Sequence, residues 1–384
     1  MTRRVGVAVV GFGWMGRVHT QAYLRLPHHF PQLRVLPELV AVADEVPGRA
    51  ADGAARYGFA TATEDWRQVA ADPRVNVVSI TTPNFLHREI GVAMAQAGKH
   101  IWIEKPAGLS AADTGALAEA VSKAAVHGTV GFNYRNAPAV AAARELISSG
   151  EIGAVTHARF RMFSDYAAHP DGALTWRYER GRGGRGVLGD LASHGVDLAR
   201  YLLGDIDALI ADTAIFVPQR ARPAGATAGH ARAAGGVPGP VENEDFVSSL
   251  LRFASGARGV LEACRVSVGE QNNYGFEVHG TRGVVTWDFR RMGELGVSTG
   301  TAYQDQPVST VFVGPGHGEY AAFQPGAGNA MSYDDLKVIE AYNFLRSVTE
   351  GGAHGATLDD AVRSAEALEA MTASAERGSW VGLA

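Results

Sequence analysis

The feature that constrains this chain most is a glycine motif near its start. Residues 5–10 are apolar and mostly β-branched, which predicts a strand buried on both faces. Gly11, Gly13 and Gly16 follow in the pattern G-x-G-x-x-G, and a helix is predicted from about Arg17. The first glycine permits a tight turn, the second lets backbone approach a pyrophosphate, and the third lets helix pack on strand. This context predicts a dinucleotide-binding loop. The predicted contacts are Gly11, Phe12, Gly13, Trp14, Met15 and Gly16.

The first third of the chain alternates short apolar runs with helical segments. This alternation predicts a Rossmann-type, doubly wound parallel sheet with helices on both faces. Pro27, Pro31 and Pro37 predict an irregular insertion between the first helix and the second strand. The predicted strands are 5–10, 38–43, a short one near Phe59, 76–81, 100–103 and 129–132, and the later helices are 50–57, 85–97 and a Ser110-capped helix to about 125.

The pattern changes after about Asn133. Strand-like segments at hairpin spacing predict an α+β domain with an open, mainly antiparallel sheet. The predicted domains are therefore 1–133 and 134–384. In the second domain we expect helices at 139–148 and 188–203, strands at 155–163, 245–253, 259–268, 275–279 and 284–289, loops at 178–186 and 218–240, and two closing helices capped by Ser332 and by Thr357 with Asp360.

Composition excludes several classes of protein. The formal net charge is −5 and no long Lys/Arg run occurs, so we expect no nucleic-acid partner. The single cysteine, Cys264, excludes intramolecular disulfides and a cysteine zinc cage, and its apolar surroundings predict a small buried side chain. No apolar run approaches the roughly 20 residues of a membrane helix. Arg3 and Arg4 lead straight into the first strand rather than into a signal core, so a cytoplasmic protein is expected.

An acidic residue at the end of the second strand indicates which nucleotide is preferred. Asp44 ends the run VAVAD, about 28 residues beyond Gly16, and the proline-rich segment accounts for the long spacing. Glu45 follows it, and two carboxylates would repel a 2′-phosphate. The sequence therefore favours NAD over NADP, although the nearby Arg49 leaves dual use open.

Three polar residues have the chemistry that alcohol oxidation requires. Asp190 and His194 are four residues apart on one predicted helix, so they share a face, and a carboxylate beside an imidazole stabilises its charged form. Lys105 follows a strand at the carboxyl edge of the sheet, where ligands of such folds bind. Its ammonium group can stabilise alkoxide character in a reacting hydroxyl. No metal site is evident, so a side chain must accept the hydroxyl proton.

Several motifs together resemble one family. Glu104-Lys105-Pro106 follows a strand, and Thr81-Thr82-Pro83-Asn84 with His87 lies upstream. GDLASHGVDLARYLLG carries Asp190 and His194, and ENEDF and FEVHGTRGVVTWDF follow. With GFGWMG at the start, the chain resembles the glucose–fructose oxidoreductase / inositol dehydrogenase / rhizopine-catabolism (Gfo/Idh/MocA) family over nearly its whole length.

The resemblance implies roles for named residues. Lys105, Asp190 and His194 would meet in space as the catalytic group, with His194 as proton acceptor, Lys105 as orienting and relay group, and Asp190 as substrate ligand and partner of His194. The roles of Lys105 and His194 could also be exchanged. Pro106 would follow a cis peptide bond. Further cofactor contacts are implied at Thr81, Thr82, Pro83, Asn84, His87, Glu104 and Lys105.

The substrate is expected to be a small polyol. Trp176 and Arg177, before the catalytic helix, can stack on and hydrogen-bond a sugar ring, and Arg135, Ser164 and Asp165 are further candidates. His19 and Asp197 have packing, surface or capping roles as their simplest interpretation. The predicted function is NAD-dependent oxidation of a secondary hydroxyl of a sugar, anhydrosugar or cyclitol.

Three alternatives stay open. Some members of the family hold NAD tightly and cleave glycosides through transient oxidation. A non-catalytic sensor could bind a dinucleotide and a partner, although it would not need the Lys105, Asp190 and His194 set. The physiological direction could also be ketone reduction. By resemblance, a homodimer or homotetramer is expected, associating through the outer face of the C-terminal sheet.

Overall fold

The structure is a computed structural model that describes residues 2–224, 232–233 and 236–383. The chain divides into two compact units. The first combines Met1–Asn136 with Met331–Arg363, and the second combines Ala137–Ala330 with Ser364–Ala384. The C-terminal segment 331–363 thus belongs with the first unit, whereas the sequence-based boundary assigned everything after residue 133 to a second domain.

The first unit is built on a six-stranded, all-parallel sheet in the order β3-β2-β1-β4-β5-β6. In this order the strands are added first on one side of β1 and then, from β4 onward, on its other side, which is the arrangement of a doubly wound fold and confirms the predicted class. Val7, Ala8 and Val9 on the central strand are fully buried, as a strand covered on both faces requires. The strands are β1 Arg3–Val10, β2 Val35–Ala43, β3 Thr61–Thr63, β4 Val77–Ile80, β5 His100–Ile103 and β6 Gly128–Val130.

Helices cover this sheet. The long helix α9 packs along α1, which is why the late segment 331–363 joins the first unit. A capping box between Ser332 and Asp335 begins α9, and reciprocal hydrogen bonds between Thr357 and Asp360 begin α10, so both predicted caps are confirmed. The helices are α1 Trp14–His29, α2 Arg49–Tyr57, α3 Trp66–Ala71, α4 His87–Gln96, α5 Ala111–Lys123, α9 Tyr333–Glu350 and the start of α10 Leu358–Arg377.

The predicted irregular insertion at residues 27–37 is wrong. Helix α1 runs through Pro27, in its last turn, and Pro31 begins a short 3₁₀ turn. Pro37 lies within β2, opposite Val5 of β1. At that point β2 has a strand on one side only, because β3 pairs no earlier than Ala41, so the missing N–H of proline leaves no ladder bond unmade.

The second unit contains a nine-stranded sheet in the order β16-β15-β14-β13-β7-β12-β11-β8-β17. Only the β7–β12 pair is parallel, so the predicted mainly antiparallel sheet is confirmed. Helix α8 packs on β7 and β12, and α6 packs on β14 and β15. The strands are β7 Val155–Phe163, β8 Ile206–Ala214, β11 Phe246–Phe253, β12 Arg258–Cys264, β13 Asn273–Gly280, β14 Gly283–Asp288, β15 Glu294–Thr299, β16 Ser309–Phe312 and β17 Val381–Gly382.

Two predicted loops contain regular structure. The segment 218–240 begins and ends in a two-stranded pair, β9 Gln219–Ala221 with β10 Pro238–Pro240, and its residues 225–231 and 234–235 lie outside the described residues. The loop 178–186 contains one helical turn, α7 Arg180–Gly183. The remaining helices are α6 Pro138–Ser148 and α8 Ser193–Leu203.

Two further predictions concern single features. Cys264 is buried with a free thiol, as predicted. Across the described residues, every helix is too short or too polar to cross a lipid bilayer.

Candidate active site

The glycine loop at the end of β1 has the geometry that its spacing predicts. Gly11 has φ +89°, and a Cβ there would lie 2.7 Å from the Thr81 carbonyl carbon. A Cβ at Gly16 would lie 2.3 Å from the Gly11 oxygen, so this glycine permits the helix to start against the turn. A Cβ at Gly13, in contrast, would meet nothing within 4 Å. Gly11 and Gly16 are therefore required by the fold, because a side chain at either position would collide with protein atoms. Gly13 instead leaves the backbone at the N-terminus of α1 accessible, as a pyrophosphate-binding loop requires.

The side chains of the same loop also have partners in the first unit. The Phe12 ring packs edge-on against Tyr57 and Phe59. Trp14 is largely exposed and stacks on Tyr333 of α9, whose hydroxyl donates to the Met15 sulfur. The loop is therefore fixed on one side by the end of α2 and the residues just after it, and on the other by α9.

Asp44 lies beside this loop at the end of β2. Its Oδ2 accepts the Phe12 N–H at 2.6 Å, and its Oδ1 accepts the Val46 N–H at 2.9 Å. Arg49 approaches both oxygens at 3.3 Å from a half-exposed position. The carboxylate thus holds the glycine loop in place at the sheet edge, which is where the sequence predicted it to bind a ribose.

The loop after β4 carries the Thr81–Asn84 motif. The Thr81 hydroxyl donates to the Gly11 carbonyl, which joins this loop to the glycine turn, while Pro83 and Asn84 lead into a 3₁₀ turn. His87 is buried, with Nε2 2.8 Å from the Thr82 oxygen and Nδ1 2.7 Å from the Pro106 oxygen. Burial lowers its pKa, although these two backbone contacts oppose the shift. His87 therefore joins two loops, a role that the sequence did not predict.

Lys105 lies in the turn after β5, half-buried and followed by a cis peptide bond to Pro106, as the resemblance implied. Its backbone N–H donates to Oε2 of the neighbouring Glu104 at 3.3 Å. The Glu104 side chain, for which a cofactor contact is predicted, has hydrogen-bond partners inside the first unit. Its Oε1 lies 3.0 Å from His19 Nε2 and 2.5 Å from Lys337 Nζ.

These residues belong to a buried set, here called the Glu104 cluster: His19, Trp102, Glu104, Lys337 and Glu340. Lys337 also donates to Glu340 at 3.2 Å, and Trp102 donates its indole N–H to the same oxygen. His19 stacks on the Trp102 ring with centroids 3.6 Å apart. Burial lowers the pKa of His19 to about 4, and the ammonium of Lys337 holds the pKa of Glu104 well below its usual range despite burial. No local sequence pattern indicates this cluster, because Lys337 and Glu340 lie more than 230 residues after Glu104.

Three members of the Glu104 cluster also have metal-ligating groups in mutual reach. One ligand atom each from His19, Glu104 and Glu340 lies within 4.8 Å of the others. The Lys337 ammonium, however, donates to both carboxylates. A positively charged group therefore already lies between these acids, and the arrangement is an internal ion-pair cluster.

In the second unit, Asp190 and His194 lie where a π-helical turn, Leu188–Ala192, passes into α8. The sequence predicted one continuous helix, and such π turns are frequent at functional sites. Asp190 Oδ2 accepts a hydrogen bond from the Tyr166 hydroxyl. Burial, with the charge of Asp190, raises the pKa of Tyr166 well above its usual value, so this phenol stays a donor. Tyr166 follows Ser164 and Asp165 after β7, and the sequence analysis missed it.

The segment 242–245 makes hydrogen bonds to the π-helical turn and to the loop before it. Glu244 accepts the Leu188 N–H at 3.1 Å, and Asn243 donates to the Arg177 and Gly184 carbonyls at 2.8 and 3.1 Å. Arg265 pairs with Asp245 at 2.8 Å in the interior. The ENED motif therefore fixes the start of the π turn and the loop that contains Arg177.

The predicted substrate residues have different surroundings. Arg177 lies over the Trp176 ring, 4.4 Å from its centroid, and both side chains are partly exposed in the second unit. Ser164 is buried and Asp165 half-buried beside Tyr166, and Asp197 is buried rather than on the surface. Arg135 is buried in the first unit and pairs with Asp360 at 3.1 Å, which gives it a structural partner there.

Comparison with known proteins agrees with this geometry. Residues 5–132 match the family model described as an oxidoreductase family with an NAD-binding Rossmann fold, and residues 140–286 match the GFO/IDH/MocA C-terminal domain. Levoglucosan dehydrogenase of Pseudarthrobacter phenanthrenivorans is 37% identical over 382 residues, covering 99% of this chain and 98% of the relative. Inositol 2-dehydrogenase of Rhizobium meliloti is 31% identical over 317 residues, covering 82% and 84%.

The fold is also similar to that of a solved structure. Levoglucosan dehydrogenase in complex with NADH and levoglucosan superposes with a TM-score of 0.92 at 36% identity, covering 99% of each chain. The fold, the open glycine loop and the matches over both units agree. The chain therefore belongs to the GFO/IDH/MocA family of oxidoreductases and is an NAD-binding dehydrogenase of that family.

Proposed function

We propose that this dehydrogenase oxidises a secondary hydroxyl of a sugar, anhydrosugar or cyclitol to a ketone, with NAD as the hydride acceptor. The observation that carries the proposal is the glycine loop with open backbone at Gly13, in a chain matched along 99% of its length to a levoglucosan dehydrogenase. The second relative is an inositol 2-dehydrogenase, so the names of both relatives refer to a ring polyol as substrate. Among the classes predicted, an anhydrosugar of the levoglucosan type has the strongest support.

The residues that would hold NAD lie at the carboxyl edge of the parallel sheet. The loop of Gly11, Gly13 and Gly16 would cradle the pyrophosphate, and Asp44 would accept hydrogen bonds from the adenosine ribose. Because Asp44 is a carboxylate and Glu45 follows it, NAD should be preferred over NADP. The Thr81–Asn84 loop would contact the cofactor next to the glycine turn, to which the Thr81 hydroxyl is bonded.

The chain's own groups would move the hydroxyl proton. His194 accepts it, and Lys105 orients the hydroxyl and stabilises its developing negative charge. Asp190 binds the substrate and fixes the imidazole. Tyr166 supports this assignment because its donation to Asp190 holds that carboxylate in one orientation. Trp176 offers an apolar platform and Arg177 a hydrogen-bond donor to the ring.

A spectrophotometric panel tests this proposal. NADH formation at 340 nm is followed with levoglucosan, myo-inositol, scyllo-inositol, glucose and simple glycosides, each with NAD and with NADP. We expect NAD-dependent absorbance with at least one free polyol and a lower kcat/KM with NADP. Glycoside cleavage without net NADH would instead identify the NAD-retaining hydrolase. Binding of NADH with no turnover on any substrate would identify a sensor.

We also propose a homo-oligomer that acts in the cytoplasm. An apolar row crosses the sheet of the second unit, where Leu250 pairs with Ile210 on one side and Val260 on the other, and Leu250 is half-exposed. An apolar sheet surface of this kind favours association with a second copy. Light scattering after size-exclusion chromatography should give the mass of a dimer or tetramer, and a monomeric mass would contradict the proposal.

A further inference from the structure

The Glu104 cluster reaches the backbone of Lys105 through a single carboxylate. Glu104 Oε1 takes the hydrogen bonds from His19 and Lys337, and Oε2 takes the backbone N–H of Lys105. On the other side of Lys105, the Pro106 carbonyl lies 2.7 Å from His87 Nδ1. The peptide group before Lys105 and the one after Pro106 are thus both tied to buried side chains of the first unit.

Lys337 is the member of the cluster that fixes Glu104 most firmly. It is fully buried on α9, and its ammonium lies 2.5 Å from Glu104 Oε1 and 3.2 Å from Glu340 Oε1. The same ammonium lies 5.6 Å from the centroid of the Trp102 ring on β5. A buried ammonium group cannot exchange these carboxylates for water, so it stays bonded to them in one geometry.

A contribution to folding stability does not by itself explain why the Glu104 cluster contains buried charges. Replacing buried ion pairs by apolar side chains of similar volume is often neutral or stabilising. The cluster is also not fully satisfied, because His19 Nδ1 and Glu340 Oε2 have no hydrogen-bond partner among the described residues. A buried and partly unsatisfied ionic set next to a reactive turn therefore suggests a role in geometry.

We propose that Lys337 is a positioning residue for Lys105, acting through Glu104, so that α9 sets the place from which the Lys105 side chain reaches the substrate. The inference rests on the proposed function, in which Lys105 contacts the reacting hydroxyl. Loss of the Lys337 ammonium would leave the Glu104 carboxylate without a cation, with only the neutral imidazole of His19 and the Lys105 backbone N–H as partners. Its carboxylate would then reorient or take up a proton, and the turn would lose its anchor.

The chain offers a matched control because it contains only four lysines, Lys99, Lys105, Lys123 and Lys337. Lys99 is also buried in the first unit, where its ammonium donates to the Asp72 and Val75 carbonyls at 2.8 and 2.9 Å. It stands just before β5, whereas Lys105 stands just after that strand. Lys99→Met therefore removes a buried ammonium from the same unit without touching the proposed catalytic turn.

The experiment compares Lys337→Met with Lys99→Met, measuring kcat, KM for the polyol, NADH affinity by fluorescence and the melting temperature. We expect both variants to lose stability, and Lys337→Met alone to lose kcat, by roughly 10- to 100-fold, since small misplacements of a reacting group cost that much. Its NADH Kd should stay within about threefold of wild type. Equal kcat in the two variants, whether retained or lost, would overturn the positioning role.

A second variant keeps the test open if Lys337→Met does not fold. His19→Phe preserves the ring stack on Trp102 and removes the hydrogen bond to Glu104, and no charge is lost because His19 is neutral. We expect kcat to fall several-fold at unchanged NADH affinity, and an unchanged kcat would overturn the inference. Lys105→Met separates the two claims. If it keeps turnover, the role assigned to Lys105 fails and this inference with it; if it is inactive while Lys337→Met is fully active, only the positioning role fails. The proposed function itself fails if the wild-type protein forms no NADH with any polyol.

Discussion

Lys337 and Glu104, on elements far apart in sequence, form a fully buried ion pair with Nζ 2.5 Å from Oε1. Glu340 shares the same ammonium, so two carboxylates compete for one positive charge. Burial raises the pKa of Glu340 to about 7, against the opposing effect of Lys337, while the pKa of Glu104 is lowered. Glu104 therefore carries the permanent negative charge, and Glu340 changes its protonation near neutral pH.

This difference predicts a pH-dependent effect of Glu340→Gln on stability. A carboxyl whose pKa is raised on folding stabilises the folded state fully only below its unfolded pKa of about 4.3, and this contribution is lost as pH rises through 7. The glutamine side chain does not titrate, so the Glu340→Gln variant does not lose this stabilisation as pH rises. Its free energy of unfolding relative to wild type should therefore rise between about pH 5 and pH 8, on the order of 1–3 kcal/mol. Denaturant unfolding at both pH values measures it, and a constant or falling difference would show that Glu340 is not protonated in the folded protein.

Gly13 and Gly16 should respond differently to the same substitution. A methyl group at Gly16 would meet the Gly11 carbonyl at 2.3 Å, whereas one at Gly13 meets no protein atom within 4 Å. We expect Gly16→Ala to lower the melting temperature, and Gly13→Ala to leave it unchanged while weakening NADH binding about tenfold or more, because the methyl enters the space that the pyrophosphate needs. Thermal melts and fluorescence titration check both. Normal NADH affinity in Gly13→Ala would contradict the assigned cofactor loop.

Asp44 should determine which nucleotide is used. Asp44→Ser removes the charge opposed to a 2′-phosphate and weakens the anchor of the Phe12 N–H. The expected result is a fall in kcat/KM with NAD of about tenfold or more, since hydrogen bonds to charged groups contribute about 1.5–3 kcal/mol, and a rise in the NADP-to-NAD ratio. Asp44→Asn is the matched control, because its amide oxygen can still accept the Phe12 N–H, while the charge and the acceptor for the Val46 N–H are lost. A wild-type preference for NADP would contradict the role of Asp44.

Tyr166 should matter for catalysis through Asp190. Because its pKa is raised, the phenol remains protonated throughout the neutral and mildly alkaline range and keeps donating to Asp190. Tyr166→Phe removes only this donor. We expect kcat/KM for the polyol to fall about tenfold, with NADH affinity unchanged, because a lost hydrogen bond to a charged group costs about 1.5–3 kcal/mol. Steady-state kinetics measure the effect, and wild-type kcat/KM in this variant would remove Tyr166 from the site.

The sequence predicted the local parts of this protein well. The glycine loop, the position of Asp44 at the end of β2 and both C-terminal helix caps depend on neighbouring residues, and the structure has each of them as expected. The cis bond before Pro106, which the family resemblance implied, is also present. The parallel sheet follows from short apolar runs that alternate with helices, and the antiparallel sheet from strand-like segments at hairpin spacing. The prediction at Pro37 was wrong because the effect of a proline in a strand depends on whether a neighbouring strand pairs on its N–H side, which is not a local property.

The parts that could not be predicted depend on contacts between distant segments. From the sequence, Lys337 and Glu340 are two charged residues on a helix with no indicated partner. Their burial becomes evident only once α9 is seen to pack on α1. Tyr166 is separated from Asp190 by 24 residues of loop and turn, and no motif marks it. The ion-pair partners of Glu104 and Arg135, which are Lys337 and Asp360, could not be predicted either, because a buried charged side chain pairs with whatever opposite charge the fold brings to it.

The most direct test is the rate of NADH formation by His194→Ala at saturating NAD and polyol, measured alongside its NADH affinity. If His194 accepts the hydroxyl proton, this rate falls about 100-fold or more while NADH binds as in wild type, because a general base contributes 10²–10⁴-fold. A rate within about threefold of wild type, at normal affinity, would contradict the proposed chemistry of the site.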